Sequence, residues 1–264
     1  MEKLEMKKKM PIVKYKEGAL HETEDDIVTE YPLTIYVNEE EFATMVCTPA
    51  DLEEMVVGFL ASEGVVRFRK DIVKLEIDEE KGFAYVTLTN KEVLDQQTFS
   101  KRFIGSCCGK SRQFYFQNDV KTAKTSMVDK KITAASCIRL MREMQEASHV
   151  FKGTGGVHNA AICSEEGMIL SRTDIGRHNA LDKLYGHCLL NQIPVRDKVL
   201  VFSGRISSEV LTKAAKIGVG IVLSKSAPTD LAIKLAEDLN ITAVGFIRGE
   251  SFNVYSHPSR IVLE

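Results

Sequence analysis

Lys198-Val199-Leu200-Val201-Phe202-Ser203-Gly204-Arg205-Ile206-Ser207-Ser208-Glu209 reads as a short apolar strand that turns on glycine and enters a helix through hydroxyl caps. The unit repeats downstream. A helix over 207–216 leads to a strand over 221–224, a helix over 229–239 and a strand over 242–246. Upstream, 157–163 and 168–171 form an expected hairpin about Glu165-Glu166-Gly167, and a helix follows from about Asp174 to Leu190. Alternation of this kind from residue 150 onward predicts a layered α/β domain with a mixed or mostly parallel sheet.

If those strands run parallel, the loops that leave them share one carboxyl edge, where open α/β folds bind ligands. Each loop carries a cation. Arg205 lies in the first, Lys225 in Ser224-Lys225-Ser226-Ala227-Pro228-Thr229, and Arg248 in Gly245-Phe246-Ile247-Arg248-Gly249. Glycine turns and exposed N–H groups at helix starts suit a phosphate. Ordinary capping with solvated charge accounts for any single loop equally well, and less well for three together. Lys152-Gly153-Thr154-Gly155-Gly156-Val157-His158 is a glycine-rich turn that matches neither the dinucleotide fingerprint nor the P-loop, so it reads as a weak phosphate signal or as a hinge. Asp174-Ile175-Gly176-Arg177-His178-Asn179-Ala180-Leu181-Asp182-Lys183 spaces Asp174, His178 and Asp182 at i, i+4. Without a nucleophile in the segment, a structural polar cluster is the favoured account over acid–base chemistry.

The N-terminal part has a different grammar. Strands are expected over 33–38, 41–47, 73–77 and 83–88, with a turn at Asn38-Glu39-Glu40. Thr48-Pro49 followed by Asp51, Glu53 and Glu54 predicts a helix capped by Thr48 and ending near Gly64. After Asn90 the chain turns polar until Thr133 opens a helix carrying Ile138, Leu140, Met141 and Met144. The expected division is an N-terminal α+β region, residues 1–130, and an α/β domain, residues 131–264.

Within the polar stretch lies Lys101-Arg102-Phe103-Ile104-Gly105-Ser106-Cys107-Cys108-Gly109-Lys110-Ser111-Arg112. Thiolate is the reactive form of cysteine, and neighbouring cations favour it, so adjacent thiols among Lys and Arg read as reactive; small core residues are the alternative. Six cysteines scattered over 264 residues lack the density of a disulfide scaffold. Net charge is −2, which gives no bulk attraction to nucleic acid or anionic membrane. No apolar run approaches the ~20 residues that span a bilayer, and residues 1–14 lack the apolar segment of a signal peptide, which predicts a cytoplasmic protein. Adjacent cysteines are awkward metal ligands, and neither C-x-x-C nor the zinc-deaminase signature occurs, so no metal site is expected.

In order along the chain, Glu30 to Val37, Cys47-Thr48-Pro49, the Cys-Gly loop, Thr154-Gly155-Gly156-Val157-His158, the run from Asp174 to Lys183, Ser203-Gly204-Arg205-Ile206-Ser207, Ser226-Ala227-Pro228-Thr229 and the segment from Gly245-Phe246 to Asn253-Val254-Tyr255 resemble the FdhD family of formate dehydrogenase accessory proteins. The resemblance runs from about residue 27 to the C-terminus. It implies a sulfurtransferase that accepts persulfide sulfur from a cysteine desulfurase. The acceptor it implies is the bis-molybdopterin guanine dinucleotide form of the molybdenum cofactor, delivered onward to formate dehydrogenase. It also implies a cytidine deaminase-like three-layer α/β domain in the C-terminal part and a homodimer. Family members commonly read C-G-x-C-G where this chain reads Cys107-Cys108-Gly109-Lys110-Ser111. Cys108 matches a family cysteine with or without a gap, so it is the expected persulfide carrier and Cys107 the auxiliary thiol. Loop geometry and resemblance together place the cofactor at Arg205, Lys225 and the run Phe246, Ile247, Arg248, Gly249, Glu250 and Ser251. The rival readings are a non-catalytic cofactor-binding chaperone and a thiol redox sensor.

Overall fold

The computed structural model describes residues 4–90, 102–104, 123 and 125–263. Its largest sheet is built from the alternating segments identified above. Strands β9 (His158–Cys163), β10 (Met168–Asp174), β11 (Val199–Phe202), β12 (Ile221–Ser224), β13 (Thr242–Arg248) and β14 (Ser251–Val254) take the order β10-β9-β11-β12-β13-β14. β11, β12 and β13 are parallel, while β9 is antiparallel to both of its neighbours and β14 to β13. The sheet is therefore mixed, as its sequence pattern indicates.

Helices cover both faces because the strands are apolar on both faces. Helix α2 (Ala134–Ala147) puts Cys137, Leu140, Met141 and Met144 against Ala161, Val201, Leu223 and Val244. On the other face α4 (Arg177–Leu190), α5 (Ser208–Ile217) and α6 (Asp230–Asp238) bury Leu181, Leu184, Val210, Leu211 and Ala232 against Ala160, Ile162, Leu200, Phe202 and Val222. The expected hydroxyl caps are in place: Thr133, Ser207 and Thr229 accept from the backbone N–H groups of Ser136, Val210 and Ala232. The short helix α3 (His149–Thr154) precedes β9, and β8 (Ile132–Thr133) pairs in parallel with β15 (Ile261–Val262).

A second sheet holds the N-terminal strands β3 (Tyr31–Val37), β4 (Glu40–Cys47), β5 (Ile72–Asp78), β6 (Phe83–Leu88) and β7 (Arg102–Ile104), in the order β5-β6-β3-β4-β7. Helix α1 (Leu52–Ser62) lies between this sheet and α4, with Met55, Val56, Val57 and Leu60 fully buried. A helix with apolar residues on opposite faces needs a partner on each. Glycine makes the approach to α4 possible: a Cβ on Gly58 would stand 1.7 Å from Asp182 O, and one on Gly186 would stand 1.9 Å from Glu54 O.

Features of the N-terminal part depart from expectation. Asp51, in a left-handed conformation at φ 53°, precedes α1 in place of Thr48, and makes no side-chain cap. The Thr48 hydroxyl is instead committed to Asp174 and Lys183. Residues 7–28, for which the sequence indicated no structure, form an antiparallel ribbon of β1 (Lys7–Lys16) and β2 (Ala19–Val28). Nearly every ribbon residue is solvent-exposed, so the alternation that marks a half-buried strand is missing.

Candidate functional site

The strand directions gather the polar motifs on one edge. β10, β11, β12 and β13 end there and β9 begins there, which brings together Asp174, Ser203, Lys225, Arg248 and His158. Helices α4, α5 and α6 start from the same edge, so their N–H dipoles point toward it. Of the glycine-rich segment read as a turn, Lys152, Gly153 and Thr154 instead close α3, and Gly155, Gly156 and Val157 form the connection that enters the same edge through His158.

Backbone hydrogen bonds stitch the three loops into one surface. Ile206 N donates to Ala227 O (3.1 Å), Thr229 N to Ile206 O (3.0 Å) and Phe246 N to Ser226 O (3.2 Å). Ser224 Oγ donates to Gly204 O (2.7 Å) and accepts from Ser226 N (3.0 Å). Gly245 is required by closeness, since a Cβ there would meet Ser226 O at 2.8 Å. The next residue, Phe246, holds φ 54°, a costly conformation for a side chain with a Cβ, and stays solvent-exposed. Arg248 lies over its ring at 5.6 Å, a cation–π contact. Arg205, Lys225, Arg248, Gly249, Glu250 and Ser251 are exposed as well, whereas Ile247 is buried against α2 and anchors the loop from below. Lys225 Nζ reaches Gln145 Oε1 of α2 at 3.4 Å.

Two side chains join these cations that loop reading alone does not assemble. His158 Nδ1 lies 3.4 Å from Ser203 Oγ, which also accepts from Asn159 N at 2.9 Å. Burial, then the charges of Arg177 and His178, hold the His158 imidazole below its ordinary pKa, so it is neutral at pH 7. Arg177 opens α4, and its Nε is buried without a hydrogen-bond partner among the described residues. Chemically, the edge offers guanidinium, ammonium and backbone donors to an anion and an exposed aromatic face to a ring.

The Asp174 to Lys183 motif has a different use. Asp174 is not helical; it ends β10 and accepts from Thr48 N, Gly176 N and Asn179 Nδ2 at 2.8–2.9 Å. Lys183, fully buried, pairs with it at 2.8 Å and donates to Thr48 Oγ1 at 2.7 Å. Asp182 accepts from Ser62 Oγ and pairs with Lys213, while His178 faces Glu209 at 3.0 Å. The i, i+4 carboxylate–imidazole pairs suggested by spacing do not form. Each carboxylate bridges elements distant in sequence, which is the structural alternative. A neighbouring cluster of Glu54, Arg172 and His187 ties α1 to β10 and α4 with contacts of 2.7–2.8 Å.

Four of the six cysteines are described. Cys47, Cys137, Cys163 and Cys188 are free and buried, and burial pushes their thiols up to about 12, 12, 12 and 11. They are inert at neutral pH. Cys107 and Cys108 lie outside the described residues; Ile104, three positions before Cys107, is paired with Met45 at the end of β7. Among the described residues no His, Cys, Asp and Glu cluster has the makings of a metal site. No described helix is long and apolar enough to cross a membrane.

Comparison with known proteins extends this picture. The chain is 64% identical over 248 residues to the sulfur carrier protein FdhD of Bacillus subtilis (strain 168), covering 94% of this chain and 95% of that one. It is 67% identical over 241 residues to the protein of the same name from Halalkalibacterium halodurans, covering 90% and 89%. In three dimensions it superposes with a TM-score of 0.79 on a crystal structure described as that of a formate dehydrogenase accessory protein from Desulfotalea psychrophila. That match spans 98% of this chain and 100% of the other at 24% identity, and it establishes a shared fold. The sequence profile of the FdhD/NarQ family matches residues 28–262, and the chain belongs to that family.

Proposed function

We propose that this chain is a sulfur carrier serving formate dehydrogenase, with Cys108 as the thiol that carries the sulfur. The observation that bears most weight is the distribution of thiols: four of six are buried and held protonated, which leaves the cation-flanked Cys107-Cys108 pair for chemistry. The name carried by relatives of 60% identity and above supports the same reading.

In the proposed reaction the Cys108 thiolate attacks the outer sulfur of a persulfide on a cysteine desulfurase. A sulfur–sulfur bond forms at Cys108, the desulfurase cysteine departs as thiolate, and no net redox change occurs. The substrate that receives the sulfur is molybdenum in its bis-molybdopterin guanine dinucleotide form. For that delivery the Cys107 thiolate attacks the inner sulfur of the Cys108 persulfide, the outer sulfur leaves as hydrosulfide, and the Cys107–Cys108 disulfide that remains accounts for the two electrons. The pyrophosphates of the dinucleotide are matched by Arg205, Lys225, Arg248 and Arg177 and by the N-termini of α4, α5 and α6, while the exposed Phe246 ring offers a stacking face for guanine. Cys107 is the auxiliary thiol. The reading further takes the protein as a cytoplasmic homodimer. It also takes the C-terminal part as cytidine deaminase-like, which the six-stranded mixed sheet between helices supports.

Incubation with a cysteine desulfurase and cysteine, followed by mass spectrometry of the peptide containing Cys107 and Cys108, tests the assignment. A gain of one sulfur on Cys108, absent from Cys108→Ala, is expected, together with loss of formate dehydrogenase activation in cells carrying that variant. A chaperone gains no sulfur, and undiminished activation by Cys108→Ala rejects the carrier assignment.

A further inference from the structure

The β1–β2 ribbon has no place in the chemistry above. Val13, Tyr15 and Leu20 near its tip are 62%, 71% and 72% exposed, although two-stranded hairpins alone are marginal in water. The ribbon is rooted beside the candidate site: Val28 packs on Gly156, two residues before His158, and Thr29 N donates to Met6 O at 2.9 Å.

Its two open edges are built differently. Glu17 and Gly18 both have positive φ (53° and 84°), the signature of a two-residue I′ turn, so Lys16 and Ala19 form the hydrogen-bonded pair that closes it. Counting back in twos, Pro11 and Glu24 form a non-hydrogen-bonded pair. Pro11 thus removes a donor from the outer edge of β1, an edge also crowded by Lys7, Lys8, Lys9, Lys14 and Lys16. The outer edge of β2 keeps its donors and acceptors at Leu20, Glu22 and Glu24, where it is lined with acids. Toward the root the edge closes: Asp26 N donates to Asp25 Oδ1 at 2.9 Å, Asp26 pairs with Lys7, and α3 packs beside Asp26 and Val28.

We propose that this β2 edge is a docking strand for an extended, lysine- or arginine-bearing segment of a partner protein. Backbone pairing would supply affinity and the acids selectivity. A second copy of the chain fits poorly, because two-fold pairing of β2 with itself sets Glu22, Glu24, Asp25 and Asp26 against the same acids. All of the ribbon but its last residue, Val28, precedes the span of the family match, residues 28–262, and the proposal stands independently of the sulfur chemistry.

The probe is a fluorescent heptapeptide of alternating lysine and valine, titrated into the full-length protein by anisotropy. Saturable binding is expected, weakened as salt rises from about 50 to about 500 mM. Glu24→Pro, which removes an outward donor, should lower affinity about tenfold. Joint Glu22→Lys and Asp25→Lys substitution should transfer preference to a second fluorescent heptapeptide, of alternating glutamate and valine. Both variants leave the apolar cores untouched, so an unchanged melting temperature verifies their fold. No saturable binding, or equal binding by folded variants of either kind, overturns the proposal.

Discussion

Two charged regions meet at α4 and differ in almost every physical respect. Along its buried flank, Asp174 with Lys183 and Asp182 with Lys213 are sealed from water, each pair joining segments far apart in sequence. At its N-terminal edge Arg205, Lys225 and Arg248 stand in solvent on loops whose backbones are hydrogen-bonded to one another. Both regions are dense in charged motif residues, so motif density alone does not separate a joint from a binding surface. Pairing in a dry interior marks the joint; convergent exposed cations on a rigid backbone mark the surface.

Breaking the joint should have the largest effect. Lys183→Met leaves Asp174 as a buried carboxylate without its countercharge, and unfolding in urea should report a loss of about 3–5 kcal/mol. Gly58→Ala should be similarly severe, because its Cβ overlaps backbone that has no room to withdraw. A loss below about 1 kcal/mol in Lys183→Met would show that the pair is dispensable and erase the distinction between the two regions.

The edge should behave in the opposite way. Arg248→Ala and Arg205→Ala should leave stability within about 0.5 kcal/mol of the parent. Binding of guanosine diphosphate, measured by calorimetry, should fall about tenfold or more for each, the scale of a lost charge-assisted hydrogen bond. Unchanged affinity in both variants would remove these cations from the proposed site.

Much of this contrast was legible before folding was considered. The α/β alternation follows from apolar runs closed by Ser207, Thr229 and Thr133, and all three hydroxyls cap as their sequence context requires. The loop cations were legible because a strand's end fixes where its loop emerges. Long-range choices were not legible. Thr48-Pro49 imitates a helix start, but its hydroxyl is drawn to Asp174, 126 residues away, and α1 begins at Leu52. Asp174, His178 and Asp182 are spaced for one helical face, yet the helix begins at Arg177, which leaves Asp174 outside it. His158 and Arg177 reach the site because β9 runs against its neighbours, a direction that no local signal encodes. The β1–β2 ribbon buries neither face, so no burial period marks it.

Acidification gives the smallest effect and reaches both regions, His158 at the edge and His178 and Glu54 in the buried flank. Burial lowers the pKa of His158 and of His178 from 6.5. The unfolded chain therefore binds more protons than the folded one near and below that value. Stability attached to these groups is complete above 6.5 and declines as pH falls toward their folded values. For Glu54, burial raises the pKa, but hydrogen bonds from Arg172 and His187, with their charges, outweigh it and leave a net lowering from 4.5. Its contribution is complete above 4.5 and lost in more acid solution, a second and lower step that belongs to the joint. Melting temperatures between pH 8 and pH 3 should fall in two stages. His178→Asn should flatten the upper stage, and Glu54→Gln the lower. If Glu54→Gln left the lower stage intact, acid sensitivity would have to be sought outside the joint between α1, β10 and α4.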